Sequence, residues 1–294
     1  MRDQLPRLIV TMNKLPPAKQ TAILKALCEG VSIRATARMV GVSRTTVLKL
    51  LVDVGELCAL YQDTTLRNLG CRRLEIDEIW AFVGAKARRA TKAGQGDIWT
   101  FTAIDAESKL LVSWLVGDRS PETAHIFMQD VAARLSNRVQ VTTDGHAMYL
   151  SAVEAAFSYW GVDNAMLVKR YGMPVDDERR YSPPVCLGAD KTRVLGKPDP
   201  SKVSTSYVER SNLTIRMQSR RFTRLTNAFS KKAENHAHAF ALFAMYYNYC
   251  RPHQTLTKAR GGIHITPAMA AGVTDRVWKV EDILARMEPK RMLA

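Results

Sequence analysis

The spacing of apolar residues changes period twice along the chain. As far as about Leu69 it is helical. Pro16-Pro17 opens a predicted helix to Cys28, with Ile23, Leu24 and Leu27 on one face and Gly30 closing it. Ser32 caps a helix to about Val40, and Gly41-Val42 turns the chain. Ser43 then caps a helix from Arg44 to about Gly55, with Val47, Leu48 and Leu51 facing inward. From about Arg72 the pattern turns to strands: Leu74–Val83, Ile98–Ile104 and Leu110–Gly117, the last two joined across Asp105-Ala106-Glu107-Ser108-Lys109. Ser120-Pro121-Glu122 starts a helix reaching about Leu135. Val139–Thr143 is a fourth strand, Ala147–Tyr159 a helix, and Asn164–Lys169 a fifth strand.

Five of the twelve prolines fall between Tyr171 and Thr205, together with Gly172, Gly188 and Gly196, which predicts a long irregular insertion. Helical spacing then returns, in a helix beginning near Ser206 and another over about Ser230–Tyr249. A basic loop with Arg251-Pro252-His253 and Gly261-Gly262 precedes a short helix over Trp278–Met287. The order βββαβαβ is that of a mixed α/β domain. The chain thus divides into 1–69, all-α; 70–250, α/β with the insertion at 171–205; and 251–294, a basic loop and helix.

Charge narrows the function. There are 43 Lys and Arg against 28 Asp and Glu, a formal +15 at neutral pH, which favours a polyanionic partner. Residues 1–60 carry a surplus of five cations. The window Lys202–Lys232 holds eight Lys or Arg and one acid, Glu209. The five cysteines are scattered and form no CxxC pair, so neither a disulfide framework nor a zinc ribbon is supported. The first 25 residues carry charges throughout and lack a secretory h-region. The longest apolar run, Ala239–Cys250, is too short and too polar to span a bilayer. A cytoplasmic protein without a membrane partner is expected.

Three acids stand out by position. Asp77 lies mid-strand in Leu74-Glu75-Ile76-Asp77-Glu78-Ile79-Trp80, Asp144 just past a strand in Thr143-Asp144-Gly145-His146, and Glu209 at a helix start in Ser206-Tyr207-Val208-Glu209-Arg210. Singly, each has an ordinary explanation: an exposed strand face, a strand-to-turn signal, an acid favoured by the helix dipole. Brought together they repel, and divalent metal removes the difficulty, since hard oxygen ligands suit Mg²⁺. Two such ions about 3.5–4 Å apart clamp the attacking and leaving oxygens of an in-line phosphoryl displacement. Glu209, Asn212 and Arg216 follow at i, i+3 and i+7 and share one helix face.

With these residues in their order, the chain resembles bacterial insertion-sequence transposases of the DDE type. The resemblance rests on Asp77-Glu78 followed by Gly84, on Thr143-Asp144-Gly145, and on Tyr207-Val208-Glu209-Arg210 with Asn212 and Arg216. It extends to Arg221-Phe222-Thr223-Arg224-Leu225-Thr226-Asn227, to Tyr247-Asn248 and to Arg251-Pro252-His253, and covers about Leu74 to Trp278. It implies a ribonuclease-H-like catalytic domain in which Asp77, Asp144 and Glu209 hold two Mg²⁺ ions, with Mn²⁺ able to substitute. The implied activity is hydrolysis freeing a 3′-OH at each element end, followed by attack of that 3′-OH on target DNA. The implied substrate is double-stranded DNA, both element ends and target, acted on by a homodimer or larger assembly in the bacterial cytoplasm, associated with the nucleoid.

The N-terminal helices read as a helix-turn-helix that binds terminal inverted repeats, with Arg44, Thr45, Thr46 and Lys49 presented by the recognition helix. Asn212, Arg216, Arg220, Arg221 and Arg224 form a second DNA track along the catalytic helix. The competing readings are a nuclease that cuts without joining and a catalytically silent DNA-binding regulator; the latter has no need of all three acids. His146 borders the site without an assigned role. His236 and His238 diverge on a helix and make no metal pair, and Asp97, Asp105 and Asp163 read as loop acids. Trp80, Trp99 and Trp114 sit on strands and are expected to pack in the core rather than serve as stacking platforms; Trp160 reads as packed under the insertion, with contact to a flipped base as its other reading.

Overall fold

The computed structural model describes residues 15–158, 161–172, 185–223 and 226–287. Three helices come first: α1 (Pro17–Cys28), α2 (Ile33–Val40) and α3 (Arg44–Thr65). Ser32 Oγ accepts from Ala35 N at 3.2 Å, and Ser43 Oγ from Thr46 N at 3.0 Å, so each side chain caps the helix that follows it. Gly41 ends α2 in the left-handed region (φ +66°). The third helix does not stop near Gly55 but runs 22 residues. Glycine stands there because a Cβ at that position would lie 2.5 Å from the Cβ of His238, on the later helix Ala233–Met245. The residue that reads as a helix end is a close crossing of two helices.

The sheet has six strands: β1 (Arg73–Val83), β2 (Gly96–Asp105), β3 (Leu111–Gly117), β4 (Gln140–Asp144), β5 (Asp163–Gly172) and β6 (Val185–Leu195), in the order β3-β2-β1-β4-β5-β6. Strands β1 to β3 form an antiparallel meander, β1/β4 and β4/β5 pair in parallel, and β5/β6 is antiparallel. Helices α4 (Pro121–Ala133) and α5 (Met148–Ala156) make the parallel crossovers. Helices α6 (Ser206–Gln218) and α7 (Ala233–Met245) follow, the latter running into a π-helical turn, Tyr246–Cys250.

Residues 171–205 are not an irregular insertion throughout. Val185–Leu195 is a full edge strand paired to β5 from Asn164↔Leu195 to Gly172↔Val185. The sequence Cys186-Leu187-Gly188-Ala189-Asp190-Lys191-Thr192-Arg193 carries no alternating apolar signal. Leu187 is 70% exposed, so backbone pairing rather than a buried face makes this strand.

Alternation along β1 sends its residues to two layers. Leu74 and Ile76 join Phe101, Phe127 and Tyr149 in one buried cluster, which also takes in Ile23, Leu51 and Val54 of the N-terminal helices. Ile79, Ala81 and Val83 pack with Ile215, Phe222, Phe240 and Phe243 in a second. The N-terminal helices therefore share the sheet's core. The C-terminal segment closes over them: Trp278 lies 5.4 Å from the Tyr61 ring and 4.7 Å from the Tyr249 ring, and Lys25 pairs with Glu281. Asn248 is fully buried, and its side chain accepts from Leu111 N and donates to Leu111 O, both at 2.9 Å, thereby satisfying Leu111 on the outer edge of β3. All five cysteines are free, four of them buried. Among the described residues no helix is long and apolar enough to cross a membrane.

Candidate active site

Parallel pairing of β1 and β4 sets the site. Arg73, Leu74 and Glu75 lie opposite Gln140, Val141 and Thr142. The same offset carried two residues further along each strand puts Asp77 beside Asp144, the last residue of β4. Carboxylate oxygens of Asp77, Glu78 and Asp144 all lie within 4.8 Å of one another. Asp77 Oδ1 accepts its neighbour's amide, Glu78 N, at 2.8 Å, and Oδ2 accepts from Asn212 Nδ2 at 2.7 Å. Asp144 Oδ1 turns the chain by accepting from His146 N at 3.1 Å.

Burial, with the nearby charges of Glu78, Asp144 and Glu209 adding to it, pushes the Asp77 carboxyl up to about 7. Hard carboxylate oxygens gathered this closely, with one carboxyl titrating near neutrality, fit a divalent cation.

Glu209 stands outside that group. It occupies the first turn of α6, where Oε1 accepts from Thr205 Oγ1 at 2.6 Å and Oε2 pairs with Lys169 Nζ on β5. The structure thus brings Asp77 and Asp144 together and leaves Glu209 on a lysine, close enough for its charge to raise the Asp77 carboxyl.

Two acids absent from the sequence-based candidates hold this arrangement. Glu75, on the Asp77 face of β1, accepts from Tyr207 N at 2.7 Å and Val208 N at 3.0 Å, so a buried carboxylate receives the first turn of α6. Glu78, on the opposite face, is 1% exposed; Arg119 Nε donates to it at 2.7 Å and Tyr149 OH at 2.8 Å. Burial and the Glu78 charge push the Tyr149 phenol well up, so Tyr149 stays a donor. Their spacing, two before and one after Asp77, was the available signal. Their partners lie 41 to 133 residues away and could not be read from it.

The other candidates are dispersed. Arg44, Thr45 and Lys49 are exposed on the first turns of α3, and Thr46 is half-buried there. Asn212 is buried against Asp77, Arg216 is half-buried further along α6, and Arg220 is exposed in the turn after it. Arg221 turns inward: its Nη1 donates to Ser230 Oγ at 2.6 Å, and burial lowers the guanidinium to about 10. Arg224 lies outside the described residues, as does Trp160. Trp80, Trp99 and Trp114 are all half-buried: Trp80 and Trp99 are cross-strand partners, and Trp114 packs on Phe240 at 5.2 Å.

This chain is similar to an insertion-element protein. Over 171 residues it is 25% identical to the insertion element iso-IS1n protein InsB of Shigella dysenteriae, a match spanning 58% of this chain and 91% of that one. No family model matches. Among solved structures, an Argonaute of Aquifex aeolicus aligns with a TM-score of 0.28 at 11% identity, over 51% of this chain and 26% of that one; a likeness this slight says nothing of the fold.

Proposed function

We propose that this protein is a DDE-type transposase with a ribonuclease-H-like catalytic domain. The observation that carries the reading is the side-by-side placement of Asp77 and Asp144 on parallel strands, with Asp77 pushed up to about 7 by burial and like charge. The strand order β3-β2-β1-β4-β5, the acid at the start of α6 and the likeness to an insertion-element protein support it.

Asp77 and Asp144 would hold divalent cations, two Mg²⁺ ions in this reading, with Glu209 as the third ligand once it leaves Lys169. Bound there, the cations supply Lewis acidity toward the scissile phosphate and neutralise its developing charge. The chain's own residues do the rest. Asn212 fixes the Asp77 carboxylate, and Glu75 holds the start of α6 and so the approach of Glu209 to the pair. Glu78, locked between Arg119 and Tyr149, keeps β1 from shifting at the acidic pair. Water attacks a phosphodiester at the element end and releases a 3′-OH. That hydroxyl then attacks a target phosphodiester in line, forming one P–O bond as another breaks. No protein nucleophile takes part, and positioning and charge supply the rate.

The exposed start of α3, with Arg44, Thr45 and Lys49, is the DNA-reading surface in this proposal, and Arg216 and Arg220 contact the backbone beside the site. Because two element ends must be joined together, the working form is a dimer or larger. Asp77→Asn tests the reading: it should abolish Mg²⁺-dependent strand transfer of duplexes carrying the element ends while leaving end binding intact. Retained transfer would overturn the proposal.

A further inference from the structure

Strand β1 runs on past the acidic pair into a feature that this chemistry does not use. Beyond Glu78, the residues on the same face are Trp80 and Phe82. Their rings lie 5.8 Å apart, and Phe229 packs on Phe82 at 4.9 Å. Trp80 and Phe229 are only half-buried, so their rings border a cleft of about 860 Å³ that Asn227 and Asp97 also line. That volume is in the range of small-molecule sites. Gly84, at φ +70°, reverses the chain directly after β1; its amide is held by Ser230 O, and a Cβ there would meet the Gln95 side chain at 2.8 Å. The reversal brings Lys86 back over the aromatics, its ammonium 5.6 Å from the Trp80 ring centre and 5.9 Å from that of Phe82. Arg88 and Arg89, both exposed, continue the rim. The acid in the lining, Asp97, is engaged by the Ala87 amide at 3.1 Å.

We propose that this cleft binds an unpaired nucleobase of a DNA strand whose phosphates lie along Lys86, Arg88 and Arg89; the inference rests on the functional reading above. Aromatic faces with cations at the rim match a base joined to a phosphodiester, because every base offers a π-face and every linkage a negative charge. Three cations on the rim call for a polyanion, and a DNA strand carries a charge at every linkage, where a protein segment would need acidic side chains at matching spacing. A paired base has both faces covered by its neighbours in the duplex, so the ligand is a base out of the stack. Trp80 lies three residues beyond Asp77 on β1, about 10 Å along it and on the face that carries Glu78. Trp99, across from Trp80, carries the Arg119 guanidinium 4.5 Å above its ring, and Arg119 also holds Glu78.

The test compares the full-length wild-type chain with Trp80→Ala, Trp80→Phe and Phe229→Ala, using a labelled single-stranded dT 20-mer and a 20-base-pair duplex, in Ca²⁺ and at fixed salt. Trp80→Ala and Phe229→Ala should each weaken single-strand binding about ten-fold and leave duplex binding within two-fold, with Trp80→Phe near wild type. Matching thermal melts establish that the variants are folded. An iododeoxyuridine strand should crosslink to the peptide containing Trp80 in the wild type. Unchanged single-strand affinity in both Ala variants overturns the proposal while leaving the transposase reading standing, since the wild type still binds. Equal loss for duplex and single strand overturns it too, as does an altered association state of the chain with single-strand affinity intact, which reassigns the cleft to a protein partner. A wild-type chain that binds neither DNA overturns both readings.

Discussion

Asn212 donates its side-chain amide to the Asp77 carboxylate at 2.7 Å, tying α6 to β1 one helical turn beyond Glu209. The bond fixes the orientation of one acid and the distance of another. Asn212→Ala removes the donor without adding charge. A hydrogen bond to a charged group contributes about 1.5–3 kcal/mol, so single-turnover cleavage should fall about 10- to 100-fold. With its donor lost, the ionised form of Asp77 is less stabilised, and the acidic limb of the pH–rate profile should move upward. A slower variant with an unmoved limb would mean that Asn212 acts only through packing.

The raised Asp77 carboxyl predicts how the metal-free protein responds to pH. Its folded value, about 7, lies above the unfolded carboxylate range. The folded state therefore binds the proton more tightly, and stability falls as pH rises from about 4 to about 7, then levels off. Asp77→Asn removes this dependence. In chelator, the variant should gain on wild type by about 1–3 kcal/mol between pH 5 and pH 8, read from denaturant midpoints. Added Mg²⁺ should stabilise the wild type alone. An equal difference at both pH values would contradict the assignment.

Glu209 is held away from the acidic pair by Lys169. Lys169→Met keeps the apolar stem and deletes the charge, freeing Glu209 to turn toward Asp77 and Asp144. The Mn²⁺ concentration for half-maximal cleavage should drop about three-fold, roughly 0.6 kcal/mol. Glu209→Gln should raise it. A Lys169→Met variant with unaltered metal dependence would show that Glu209 has no part in holding the ion.

The Glu78–Arg119 pair is costly to break, because the Glu78 side chain is buried. Arg119→Ala leaves a 1%-exposed carboxylate with Tyr149 as its remaining partner. A buried pair broken on one side costs about 3–5 kcal/mol; with Arg119 one-third exposed, about 2–3 is expected, and Glu78→Gln in the same background should restore part of it. Chemical denaturation of the two variants measures this.

Much of the framework was legible from periodicity. The five predicted strands and the helices around them stand within a few residues of their expected bounds, because each buries an apolar face of definite period. What escaped had no such face. Strand β6 is a polar edge strand held by main-chain bonds to β5. Gly55 carries the usual mark of a helix end and instead lets α3 cross α7 beside His238. In the site, Asp77 and Asp144 stood out in the sequence as a mid-strand acid and an acid at a strand end, but the pairing of β1 with β4 that sets them side by side could not be read there. Glu75 and Glu78 could not be given roles, since those depend on the α6 amides and on Arg119 and Tyr149, which only the folded chain brings near. Trp80 was hidden by the same rule that finds cores: an aromatic in a strand reads as interior, and the turn at Gly84 leaves this one at an open cleft.

The most direct measurement is single-turnover joining of a pre-cleaved duplex end bearing a free 3′-OH to target DNA, with product length read on a denaturing gel. Wild type with Mg²⁺ or Mn²⁺ should yield a covalent end–target product and none in chelator. Asp144→Asn should bind the same end within about two-fold and yield none. Joined product from Asp144→Asn, or wild-type joining that persists in chelator, would contradict the assignment of Asp77 and Asp144 as the metal-holding pair.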